Sequence, residues 1–165
     1  MGNLPRQRQD LEGPVINLFE AIAHRYTTNT NRGNKEDNKV PGTKFQFGDL
    51  RVNTSNCHIL VEVESGGGVT NLVKYWYCLK EHKINKPIKL LHIYGISTEG
   101  DFSSYLDLWN FLSSKMKDSL GDLFTAEIDI YWKPKPSENL KEKLASGLGK
   151  FERIVREEFI VTNDE

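Results

Sequence analysis

Three carboxylates stand where an apolar strand has least reason to carry them. Glu62 and Glu64 lie two apart in His58-Ile-Leu-Val-Glu-Val-Glu64, an almost continuous β-prone run, and Asp49 belongs to the strand-like segment before it. Side chains alternate along a strand, so Glu62 and Glu64 project from one face, and a neighbouring strand brings Asp49 next to them. Partly buried like charges repel strongly, and such a cluster is retained mainly when a cation compensates it. Hard divalent cations take oxygen ligands, and Mg2+ in particular is held by one or two carboxylates together with phosphate oxygens of a substrate. The chemistry expected of this trio is therefore Mg2+- or Mn2+-dependent. The alternative is that Glu62 and Glu64 lie at a strand end and face water, since Glu-x-Glu alone is a weak motif.

Charge elsewhere is unevenly spread, although 22 Lys and Arg nearly balance 23 Asp and Glu. Between Lys74 and His92 five lysines (Lys74, Lys80, Lys83, Lys86, Lys89) face one acid, Glu81, whereas Ile93 to Trp132 holds two lysines and seven acids. The first stretch, interleaved with Tyr75, Trp76 and Tyr77, is the one that could meet a polyanion. The other possibility is that both are solvated faces of surface elements. No run approaches the ~18 apolar residues of a membrane span. Two cysteines cannot staple a secreted mini-protein, so a cytoplasmic setting is expected.

The elements that must position the carboxylates follow from the hydrophobic pattern. After a polar tail over residues 1–10, Gly13-Pro14 opens a helix to about Tyr26 with Val15, Leu18, Phe19 and Ile22 at helical spacing. Residues 27–43, rich in Asn, Thr, Gly and Lys, read as a long mobile loop of the kind that covers substrates. Lys44 to Val52 suggests a strand with a bend at Gly48-Asp49, and the run from His58 to Glu64 a central strand covered on both faces. A helix is expected over Val69 to Glu81, a buried strand over Ile88 to Ile96, and a helix capped by Asp101 with Phe102, Tyr105, Leu106, Trp109, Leu112 and Met116 on one face. Phe124 to Trp132 alternates as a half-buried strand nearer the sheet edge. Residues 137–160 form a long helix with Leu140, Leu144, Leu148, Phe151, Val155 and Phe159 along one side, serving either the core or a homodimer interface. The prediction is one α/β domain over 1–165, a mixed central sheet flanked by helices.

A helix, a hairpin with Asp near its bend, a core strand ending in acid-x-residue, then a helix and another buried strand resemble the PD-(D/E)xK nuclease superfamily, with its restriction-endonuclease-like core. Residues 14 to 96 carry the resemblance, with Asp49 as the motif's aspartate, Glu62 as the acid of the next strand, and Glu64 where the family usually has lysine. Asn71-Leu-Val-Lys-Tyr75 is similar to the Gln-x-x-x-Tyr motif of the RecB-like branch, with Asn in place of Gln. Glu20 sits where many members carry an extra acid that supports the metal site. The resemblance implies Mg2+- or Mn2+-dependent hydrolysis of DNA, of restriction or repair type. Asp49 and Glu62 would hold the ion, Glu64 would complete coordination or accept a proton from water, and Lys74 would reach back to stabilise developing charge. Asn71, Tyr75, Lys80, Lys83 and Lys86 would contact the nucleic acid. The alternative implied is a catalytically inactive nuclease-fold protein that binds DNA or another protein.

Overall fold

The computed structural model describes residues 4–65, 68–96, 102–135 and 137–161. Its elements in chain order are α1 (Leu4–Ala23), β1 (Thr30–Arg32), β2 (Leu50–Asn53), β3 (His58–Ser65), α2 (Thr70–Lys80), β4 (Ile88–Ile96), α3 (Ser103–Leu120), β5 (Phe124–Trp132), α4 (Leu140–Lys143) and α5 (Ala145–Val161). The strands form one sheet in the order β1-β2-β3-β4-β5. The β1–β2 and β2–β3 pairs are antiparallel, while the β3–β4 and β4–β5 pairs are parallel. This is the expected α/β architecture, with a mixed sheet between two helical layers.

The alternation of β3 shows how the layers are built. Ile59 and Val61 face a core shared with Val15, Phe19, Leu148 and Phe151, the inner faces of α1 and α5. Leu60 faces the opposite core with Leu72, Leu79, Trp109 and Met116 from α2 and α3. Glu62 and Glu64 continue the Leu60 side, so the acids emerge beneath α2. Parallel strands buried on both faces read as continuous apolar runs, which is why β3 and β4 were legible from sequence.

Several expectations are corrected. Helix α1 starts at Leu4, so residues 4–10 are helical rather than a tail, and Pro14 lies inside the helix. Residues 27–43 are not structureless. β1 pairs with β2, and fully buried Asn38 donates its side-chain amide to the carbonyls of Gly33 and Gly48, both at 2.9 Å. The strand expected over Lys44 to Val52 shrinks to β2, because Gly48 (φ +86°) turns the chain sharply just before it. Strand β5 is the sheet edge, yet both faces are covered in part, with Asp129 and Tyr131 buried towards α5. The last helix breaks at Leu144 into α4 and α5, and Asn139 caps it by accepting from the amides of Lys141 and Glu142. Its face of Leu144, Leu148, Phe151 and Val155 is buried in the core within the chain. The proposed cap Asp101 lies outside the described residues.

Candidate active site at the ends of the parallel strands

Asp49 is fixed by the turn that introduces β2. Only glycine suits position 48, where φ is positive and a Cβ would come within 2.9 Å of the Leu50 carbonyl. Asp49 Oδ2 then accepts from the Val63 amide at 2.7 Å and Oδ1 from Gln46 Nε2 at 2.8 Å. The carboxylate thus bridges the gap where β2 leaves β3.

Helix α2 runs back along β3 with a matching repeat. Four helical residues rise about 6 Å and two strand residues about 6.6 Å, so successive turns of α2 meet successive acids of β3. Tyr75 donates its hydroxyl to Glu62 Oε1 at 2.5 Å, and Asn71 donates to Glu64 Oε1 at 2.6 Å. Lys74 reaches the same place, with Nζ 3.5 Å from Glu62 Oε1 and donating to the Gln46 carbonyl at 2.8 Å. Glu62 is only 3% exposed. Burial, followed by the Asp49 charge, pushes its carboxyl up to about 8, against the pull of Lys74 and Tyr75. Burial and the same acid drive the Tyr75 phenol well above its usual range, so it acts only as a donor.

A fourth acid enters from the other layer. Glu12 on α1 lies beside Asp49, and burial together with repulsion by Asp49 pushes Glu12 up to about 7. Asp49 and Glu12 line a cleft of about 270 Å³ with Ile16, Arg32, Asn34 and Gln46. Arg32 is held at its rim by Asn17 at 2.7 Å and Glu20 at 3.2 Å. Glu20 thus orients Arg32, whereas Glu12, two helical turns earlier, is the α1 acid that lies beside Asp49. Sequence gave Glu12 one signal, its i, i+4, i+7 spacing with Ile16 and Phe19 on the inner face of α1.

The expected nucleic-acid contacts separate. Tyr75 is fully buried, leaving no ring face for a base, and Asn71 is occupied by Glu64. Lys80 ends α2, and Lys83 and Lys86 lie between it and β4, whereas the acids pair with the later residues His92 and Tyr94 of that strand. From Lys86 to Ile93 a strand spans roughly 23 Å. Lys86 donates to the Thr54 carbonyl at 2.9 Å, and Lys89 pairs with Glu158 at 2.5 Å. The lysine run thus belongs to the opposite end of the sheet. Among the described residues, the cations at the acid end include Lys74, Arg32 and Lys133, whose Nζ donates to Ser65 Oγ at 2.8 Å.

The donor set suits a hard divalent ion. All four acids offer carboxylate oxygens, and two of them, Glu12 and Glu62, hold protons near neutrality because burial disfavours the charged form and Asp49 repels it. A divalent cation would relieve that repulsion. Among the described residues, no three acids, histidines or cysteines already stand grouped at ligating separation. Comparison with protein-family models, with curated proteins and with solved structures finds no match for this chain. No helix among the described residues is long and apolar enough to cross a membrane.

Proposed function

We propose that this protein is a Mg2+- or Mn2+-dependent nuclease that hydrolyses phosphodiester bonds in DNA. The observation that carries this reading is the buried Glu62 carboxyl, set beside Asp49 and within 3.5 Å of Lys74 at the end of a parallel strand pair. Ligands of open α/β sheets bind outside the carboxyl ends of the strands. Acids with protons to exchange for a cation, next to a lysine, suit phosphoryl chemistry better than any acyl-transfer or redox alternative.

Asp49 and Glu62 would hold the ion, with Glu64 or Glu12 completing the oxygen set. A bound ion would polarise the scissile phosphate and acidify water. Glu64 would accept a proton from the attacking water, and Lys74 would offset the negative charge that develops on the phosphate oxygens. Gln46 and the Val63 amide keep Asp49 from turning away, and Tyr75 does the same for Glu62. Arg32, at the cleft rim, is the cation best placed to meet a neighbouring phosphate.

The test is incubation of plasmid and single-stranded DNA with the purified protein in Mg2+, Mn2+ or EDTA. Cleavage that needs the metal and vanishes in Asp49→Ala and Glu62→Ala supports the reading. Absence of cleavage, or cleavage that survives both substitutions, overturns it. DNA binding without cleavage would then favour the inactive binding module.

A further inference from the structure

We propose that His92 is a positioning residue that donates from Nε2 to Glu64, fixing one carboxylate oxygen so that the other is left to work. His92 lies mid-strand in β4, fully buried between Tyr94 and Trp109. Trp109 Nε1 can only donate, and it sits 3.0 Å from His92 Nδ1. The Tyr94 hydroxyl is also near Nδ1, at 3.4 Å, but spends its hydrogen on the Gly68 carbonyl at 2.5 Å. Nδ1 is therefore an acceptor, and the imidazole hydrogen belongs on Nε2.

Among the described residues Nε2 has no other polar partner, and it points at Glu64 Oε1 from 3.3 Å, off the line of a well-formed hydrogen bond. A histidine that served packing alone would not leave a buried N–H aimed at an acid. Nor is His92 placed to ligate a metal, because its only inward nitrogen carries the hydrogen. Asn71 converges on the same oxygen from α2. The other oxygen, Oε2, which has no partner among the described residues, lies against Gly68, where an added Cβ would come within 3.0 Å, so the glycine keeps that oxygen uncrowded. One oxygen held and one left open is the asymmetry required of a carboxylate that takes a proton from water. The chemical role rests on the nuclease reading above; the tautomer and the contact with Glu64 do not.

Two measurements test this separately. In 15N-histidine-labelled protein, the His92 ring should show its hydrogen on Nε2, and that nitrogen's signal should move in Glu64→Gln. In DNA cleavage, His92→Leu should lower kcat about 10- to 100-fold with KM little changed, as for other groups that orient a site carboxylate. His92→Gln, whose amide nitrogen reaches a similar place, should recover most of the loss at an unchanged melting temperature. A hydrogen on Nδ1, or a ring signal indifferent to Glu64→Gln, overturns the proposal. So does a folded His92→Gln no better than His92→Leu. If the wild type cleaves nothing, the nuclease reading fails while the ring spectra still decide the role of His92. If His92→Leu does not fold, Trp109→Phe, which frees Nδ1, should change the tautomer and lower kcat in its place.

Discussion

Glu62→Gln should make this protein more stable as pH rises, while removing its activity. In the folded chain the Glu62 carboxyl titrates at about 8 against an ordinary 4.5, since burial and Asp49 outweigh Lys74 and Tyr75. A group whose folded value is raised holds its proton more tightly folded than unfolded. Its contribution to stability is fully present below 4.5 and is lost as pH climbs through 8. At about 1.4 kcal/mol per pH unit, the loss between pH 5 and pH 8 is about 3 kcal/mol. Glutamine keeps the shape and an acceptor for Tyr75 but never ionises, so the variant should match wild type near pH 5 and exceed it by about 3 kcal/mol near pH 8. For a domain of this size that is roughly 6–12 °C in Tm. Urea unfolding of both proteins at pH 5, 6, 7 and 8 in EDTA measures the difference directly. Parallel stability curves, or a variant that loses ground with rising pH, would refute the assignment of Glu62 as a buried acid strained by its neighbours.

Lys74→Met should reduce DNA cleavage by about 100-fold or more, whereas Lys83→Gln with Lys86→Gln should change kcat little, because those lysines lie at the far end of the sheet; initial rates on plasmid DNA distinguish the two sites. Gly48→Ala should cost about 2 kcal/mol or more in urea unfolding, since φ is +86° and the new Cβ would meet the Leu50 carbonyl at 2.9 Å.

Elements were legible where one physical signal dominated. β3, β4 and β5 are long β-prone stretches, and their bounds follow from where those patterns stop. The face of α5 follows the 3.6-residue period, whereas α2 exposes Val73 and buries Tyr75 and Cys78 beside Leu72 and Leu79; the neighbourhood of Asp49, Glu62 and Lys74 follows from strand alternation plus one helical turn. What sequence concealed depends on long-range pairing. Thr30–Arg32 has no hydrophobic pattern of its own and becomes a strand only because β2 offers an edge. Buried Asn38 is polar and ties the 27–43 segment through backbone carbonyls, which no periodicity announces. Glu12 sits just before Gly-Pro, a pair that suggests a helix start and leaves the acid outside the helix. His92 looked like any histidine in a strand until Trp109, seventeen residues later, supplied the donor to its ring. The lysine run misled for a related reason: neighbours in sequence on either side of a helix end lie at opposite ends of a parallel sheet from the acids that precede the helix.

The most direct measurement of the central claim, that these acids form a divalent-cation site, is calorimetric titration of the protein with Mn2+ at pH 7 in two buffers of different ionisation enthalpy. Glu62 and Glu12 are protonated to a large extent there, titrating at about 8 and about 7, so binding should release protons and tighten as pH rises. Both the binding and the proton release should be lost in Asp49→Asn and Glu62→Gln. Mn2+ that fails to bind, or binds equally well to both variants without releasing protons, would contradict the account.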